Sequence, residues 1–477
     1  MEKRTPSFSM SLAVLCLVIA ILGVSILVYG AAPHIPIVLV AVVVALYGFK
    51  LGCSWKDLEK AVTRGVSHGV PAILILSLIG ILVGVWVLNG TVQTITYYGL
   101  HVLSPSLFLV STVLITAIVA TMTGSSWSAI STIGIALMGV AYGMEISPAM
   151  TAGAIVCGAI FGDKLSPLSD TTNLTAATAK VDIFVHIKHM LWTTIPSLII
   201  TLLIFGVIGF MTNQDAASTE NVAAMITTLE NEFMLTPVAL ISPLLIIILA
   251  FRKVNSIPAL VIGLVAAVAT TFYTVPGVSF GEIMNTAHFG YTADTGDEAI
   301  DSLLSLGGLD SMLFGVSLIL IALSFGGIIR EIGIAHAIIS GMRDFLKSRG
   351  NVITSTVLSC LGINIAVGEQ YLSIILPGQM LEDSYEHANL HPKNLSRTLE
   401  DAGTIIHPLI PWGVTGAFIM TTLNVGVGYI PFTFISFITP VIAIIYGYTG
   451  FTLTPLEKGK VISYEEGWAE QEASSER

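Results

Sequence analysis

Between Gly65 and Gly162 the chain contains no lysine or arginine. Just beyond lies a polar island set among apolar runs, Gly162-Asp163-Lys164-Leu165-Ser166-Pro167-Leu168-Ser169-Asp170-Thr171-Thr172-Asn173. A charged side chain at membrane depth costs roughly 2.5 to 3.5 kcal/mol on insertion scales, so one that is kept there usually serves as an ion or proton site. Composition makes the bilayer the setting: 54% of the 477 residues are hydrophobic and 11% charged, against about 25% charged in soluble domains. Apolar stretches close to the roughly 20 residues that span hydrocarbon recur throughout, among them residues 10–29, 35–49, 73–88, 107–122 and 191–210. They amount to about 12 to 14 crossings or re-entrant segments. The runs are continuous rather than alternating, so helices and not a closed barrel satisfy the backbone in lipid. The expected class is an all-α polytopic membrane protein.

The first apolar run follows Lys3 and Arg4, is too long for a typical secretory h-region, and reads as a retained helix. Cys16, Cys53, Cys157 and Cys360 are scattered, with neither a C-x-x-C pair nor a histidine at ligand spacing, so neither a disulfide framework nor a zinc site is expected. Cytoplasmic loops carry an excess of Lys and Arg, and the 20 basic residues fall in a few clusters, including Lys50 to Arg64, Arg330 to Arg349, and Lys458 with Lys460. Both termini are therefore expected on the cytoplasmic side of the membrane. Two long acidic connections without basic residues, one with Glu230 and Glu232 and the other with Glu282, Asp294 and Asp310, are expected outside. The net charge of -11 excludes a basic nucleic-acid footprint, and the glutamate-rich tail reads as a solvated end.

An internal repeat emerges from the glycines. Gly84 to Gly90 and Gly327 to Gly333 share a G-x5-G spacing; 34 residues beyond Gly90 comes Gly124-Ser125-Ser126-Trp127, and 35 beyond Gly333 comes Gly368-Glu369-Gln370-Tyr371. The first G-x5-G helix leaves a basic side and ends in a loop lacking Lys and Arg, whereas the second leaves an acidic loop and ends among arginines. That reversal favours inversion over chance likeness of glycine-rich helices, and inverted repeats with interrupted helices are a design of secondary transporters whose site lies at the repeat interface. The expected division is residues 1–34 as tail and first helix, 35–210 as repeat one, 211–236 as an external linker, 237–448 as repeat two and 449–477 as a cytoplasmic tail. No G-x4-G-K-[ST] loop is present, so a gradient is expected to supply the energy, with no cofactor.

Four islands carry the candidate chemistry. In the first, Gly124 lets a helix unwind while Ser125 and Ser126 offer neutral oxygens to a hard cation such as sodium; small serines also serve as packing. In the second, Pro167 predicts a break near Ser166. Asp163 and Asp170 can there hold either a proton or a share of a cation's charge, beside Ser169, Thr171, Thr172 and Asn173. The structural alternative pairs Asp163 with Lys164 and starts a helix at Ser169 or Asp170. In the third, Glu369 lies between apolar runs next to Gln370, where an uncompensated charge is costly, so it is a candidate proton carrier. The fourth is Leu395-Ser396-Arg397-Thr398-Leu399-Glu400-Asp401-Ala402-Gly403-Thr404, followed by His407. On a helix Arg397 reaches Glu400 and Asp401 at i+3 and i+4, neutralising one and leaving the other free; Glu400, Arg397 and His407 are candidates for proton relay or substrate contact, His407 otherwise for packing.

The islands around Asp163, Gln370 to Gly378 and Leu395 to Thr404 resemble the signatures of the NhaC family of bacterial Na+/H+ antiporters, in order and over nearly the whole chain. The resemblance implies exchange of sodium ions for protons. The polar islands themselves make Asp163, Asp170, Glu369 and Asp401 the expected acidic ligands, with Ser125, Ser126, Thr171, Thr172, Asn173 and Thr404 as neutral ones. The family also includes an exchanger coupling sodium and lactate to malate and protons, so organic-anion exchange is the second reading, with Arg397 or Lys164 receiving a carboxylate. One departure favours keeping that reading open: the chain has Pro411-Trp412-Gly413 where the family usually has Pro-Trp-Asn. A passive channel fits the broken helices less well, and no nucleophile, base and orienter can be assembled into an enzyme site. A homo-oligomer stays open.

Overall fold

A computed structural model describes all residues except 1–3, 213–216, 253, 296–300, 302, 303, 306, 342–345, 347 and 457–477. The glutamate-rich tail and the middle of the expected external linker thus lie outside the described residues. Helices account for the fold, and no strand occurs among the described residues.

The chain opens with α1 (Phe8–Gly23) and α2 (His34–Lys50). The long α3 (Trp55–Leu88) starts at Ser54, whose hydroxyl accepts from the Asp57 amide while Asp57 reaches back to the Ser54 amide, a reciprocal cap. After α4 (Thr91–Val102) comes α5 (Phe108–Thr123), then the short α6 (Ser126–Ala129) continued by α7 (Ile135–Gly143), α8 (Pro148–Leu165), α9 (Asp170–Thr178) and α10 (Ile183–Thr212). The peripheral α11 (Ala217–Glu232), α12 (Ile241–Phe251), α13 (Ser256–Thr274) and α14 (Phe280–Phe289) follow. The order of the first half then recurs: long α15 (Leu309–Ile332), short α16 (Ile334–Gly341), α17 (Arg349–Val367), α18 (Gln370–His387), α19 (Pro392–Gly403), short α20 (Val414–Thr422) and α21 (Phe434–Thr449).

Eight of the described helices are long and apolar enough to cross a bilayer, or up to ten if each sharply bent pair is one span, and α2 and α21 are shorter apolar helices. The nine-residue α9 and α20 are too short to cross alone; they are half-helices beyond a break. The expected count of 12 to 14 took such segments together with full spans.

Helix α3 packs along α15. Gly65 faces Leu323 and Gly327 while Gly80 faces Gly308 and Met312, so the pair runs antiparallel, and the Gly308 amide donates to the Gly80 carbonyl at 2.8 Å. Close approach also unites α5 and α8, because a Cβ on Gly158 or Gly162 would collide with the Val113 or Ala117 carbonyl. Small residues at spacing four let membrane helices meet backbone to backbone, where dispersion rather than hydrophobicity drives association.

The breaks arise from local chemistry. Helices α5 and α17 each stop at a left-handed glycine, Gly124 at φ +66° and Gly368 at φ +69°, a conformation strained for any residue with a Cβ. The next residue is extended in both cases and caps the following helix: the Ser125 hydroxyl accepts from the Ser128 amide at 3.2 Å. The Glu369 carboxylate accepts from the amides of Tyr371 at 3.0 Å and Leu372 at 2.9 Å. Helix α8 ends at Leu165, before Pro167 as expected, and Ser169 caps α9 through the Thr172 amide at 3.3 Å.

Candidate functional site

The first residues after both breaks, Ser125 and Glu369, line one cavity of about 410 Å³, together with Ser126, Asp163, Asp170, Gln370, Tyr371 and His407. A second cavity of about 200 Å³ adjoins it and shares His68, Leu323 and Glu369; its wall carries Arg64 and Arg330. Among the described residues, the main cavity wall has three carboxylates and no Lys or Arg.

Asp163 is the best-placed of these acids. Its Oδ2 accepts from the Ser126 amide at 3.0 Å and from the Ser126 hydroxyl at 2.7 Å, so the serine after the first break fixes the carboxylate at the end of α8. Its Oδ1 is buried and has no hydrogen-bond partner. An orphaned carboxylate oxygen is costly unless a proton or a cation completes it. Asp170, at the start of α9, accepts from the Tyr371 hydroxyl of α18, which ties the two halves across the cavity.

The acids of α19 sit deeper. Lys164 pairs with Asp401, with side chains 1% and 0% exposed, and the Thr193 hydroxyl donates to Asp401 Oδ1 at 3.0 Å. Glu400 accepts from the Thr175 hydroxyl at 2.5 Å and from the Thr404 hydroxyl at 2.9 Å. One structural alternative and one expectation are corrected here. Asp163 is not the partner of Lys164, because Ser126 holds it while the lysine reaches across to the other half. Nor does Arg397 neutralise Glu400 or Asp401: its guanidinium donates to the Thr452 hydroxyl at 2.8 Å and lies 5.9 Å from the centre of the Tyr446 ring, with no carboxylate in ion-pair range among the described residues. Asp401 takes Lys164 and Thr193 on Oδ1, while its Oδ2 is buried without a hydrogen-bond partner, and Glu400 faces Thr175 of α9.

The sodium/proton antiporter family model matches residues 4–172 and 158–451. The chain belongs to the Na+/H+ antiporter family. Its relatives include the Na+/H+ antiporter NhaC of Alkalihalophilus pseudofirmus, 44% identical over 94% of this chain and 97% of that one. The NhaC of Bacillus subtilis is 43% identical over 91% and 95%. A malate-2H+/Na+-lactate antiporter of Bacillus subtilis is 38% identical over 85% and 86%. A multi-pass membrane transporter is thereby the coarse description, and the resemblance drawn from the polar islands holds.

Among the residues singled out from the sequence, the structure brings Ser125, Ser126, Asp163, Asp170, Glu369, Gln370 and His407 to one cavity. Others spend their polar groups locally. Thr172 donates to the Lys164 carbonyl at 3.2 Å, the Thr171 and Ser169 hydroxyls meet at 3.0 Å, and the exposed Asn173 donates to the Pro167 and Ser169 carbonyls. Asp401, Glu400 and Thr404 form the inner cluster, and Arg397 lines neither cavity. Sequence reasoning passed over His68, Thr175, His186 and Thr193. His186 stands with His189 at spacing three at the start of the long apolar α10, a pattern that by itself marks no site.

Proposed function

We propose that this protein exchanges sodium ions for protons, expelling Na+ as protons move inward, and that Asp163 holds the two cargoes in alternation. The buried, unpartnered Oδ1 of Asp163, a residue of the cavity wall, carries the reading. Asp163, Asp170 and Glu369 supply negative charge, and Ser125, Ser126 and Gln370 supply neutral oxygens, the donor set a hard cation prefers. One carboxylate cannot fully serve a proton and a cation at once, so binding one releases the other. That exclusivity is what couples the fluxes, with no resident cofactor required.

In this reading residues 35–210 and 237–448 are inverted repeats whose broken helices meet at the cavity, and the antiparallel run of α3 and α15 supports the inversion. The second cavity, with Arg64 and Arg330 in its wall, opens toward the cytoplasm by the positive-inside rule. Both termini then lie on the cytoplasmic side of a bacterial inner membrane, and a homo-oligomer is compatible with this arrangement. Exchange of malate against sodium and lactate is the rival reading, suggested by one relative's name. The site argues against it: a dicarboxylate entering the main cavity would meet three carboxylates, while Lys164 is paired with Asp401 and Arg397 lies elsewhere. Purified protein in liposomes carrying a pH dye tests both. Sodium alone should drive proton flux, and malate and lactate should add nothing; sodium-dependent flux that appears only with the organic acids would overturn the proposal.

A further inference from the structure

A small void of about 20 Å³ lies between the cavity and the inner cluster, bounded by Ser126, Asp163, Lys164, Glu400 and Thr404. That is room for about one water. It places Asp163 on one side of a single water site and Glu400 on the other. Beyond Glu400, on α10, stands His186, fully buried, with Nε2 at 3.9 Å from Glu400 Oε2 and no hydrogen-bond partner of its own.

The hydrogen bonds around His186 suit one tautomer. With the Ser396 hydroxyl donating to the Lys393 carbonyl at 3.0 Å, it accepts from His186 Nδ1, 2.9 Å away. Nε2 is then a bare lone pair aimed at a carboxylate, an arrangement that is repulsive unless a proton occupies the gap. A shift of about 1 Å closes that gap to hydrogen-bond length. The charged and titratable groups facing this pair are Lys164 from α8, whose charge Asp401 balances, His189 from the same helix, and Cys360 from α17.

We infer that Asp163, the one-water site, Glu400 and His186 form a proton path separate from the route taken by sodium, with His186 as a positioning and relay residue that no sequence signature marked. The inference rests on the antiport reading. When sodium displaces the proton from Asp163 Oδ1, the proton passes to the water, which gives one of its own to Glu400. Glu400 in turn protonates His186 Nε2, and the imidazolium releases its Nδ1 proton past Ser396 toward the basic end of α10, where Lys188 and Lys393 stand. The water and Glu400 end as they began and Asp163 has traded its proton for Na+; His186 is left as the Nε2–H tautomer and must return to the Nδ1–H form before the next transfer, so proton count and charge balance over the full cycle. Sodium uses the wider cavities and never has to pass the void.

The test measures two fluxes in the same proteoliposomes: sodium-driven proton movement, and exchange of labelled Na+ for unlabelled Na+ at constant pH, which needs the cation site but no proton path. H186Q and E400Q are close in volume to the native side chains, and both keep hydrogen-bonding groups in place. Both variants are expected to retain Na+/Na+ exchange within twofold and to lose at least tenfold in proton flux. Proton flux at the wild-type level in H186Q would show that histidine matters only for packing, and a parallel fall of both fluxes would show that the cluster belongs to the sodium site; either result overturns the inference. Wild-type protein that exchanges Na+ for Na+ but moves no protons would instead overturn the antiport reading itself, a failure visible before any variant is made.

Discussion

Asp163 and Asp401 hold matching positions in the two halves, each two residues before the end of its helix, α8 at Leu165 and α19 at Gly403. Their surroundings differ in charge. Asp163 is held by a neutral serine and lines the cavity, whereas Asp401 is paired with a lysine drawn from the opposite half. Two like helix ends thus carry unlike electrostatics. In the proposed antiport the first acid is the one left to mobile cargo, and unequal charges give one transport site where two equal copies would compete.

The sharpest way to break this comparison is to swap the roles. Asp163→Asn should abolish sodium-driven proton flux, a loss of at least about 100-fold, or about 2.7 kcal/mol, with little change in thermal stability in detergent. Equal residual flux in Asp163→Asn and Asp401→Asn would erase the distinction. Lys164→Met should act on stability first, because it leaves a buried carboxylate unpaired, at a cost of about 3 to 5 kcal/mol. The double variant Lys164→Met with Asp401→Asn should regain most of that loss, and a double variant as unstable as the sum of its parts would deny the pairing. Glu369→Gln is expected to weaken apparent sodium affinity about tenfold, near 1.4 kcal/mol, read as a raised half-saturating concentration. Gly368→Ala should cost about 1 to 2 kcal/mol through its left-handed backbone, measured as lowered thermal stability. Asn173→Ala, at an exposed position bonded only to nearby carbonyls, should change sodium affinity by less than about 0.5 kcal/mol.

The breaks, the helical class and the cavity acids were legible because each leaves a local mark: a glycine between apolar runs, a proline after Ser166, a carboxylate where hydrocarbon is expected. Partnerships were not. The i+3 and i+4 spacing from Arg397 to Glu400 and Asp401 describes an isolated helix, and tertiary packing overrode it when Lys164 arrived from α8 and Thr175 from α9. Ser169, Thr172 and Asn173 looked like ligands by oxygen density alone, yet capping and turn formation consume the same atoms. His186 stayed hidden because one histidine near a helix start has no pattern until the facing Glu400 is known.

Glu369 belongs to both cavities and also begins α18, its two oxygens resting on the Tyr371 and Leu372 amides. In the proposed antiport an ion taken up by Glu369 would have to win those oxygens from the backbone, so its occupancy and the tautness of the first turn of α18 would be one variable.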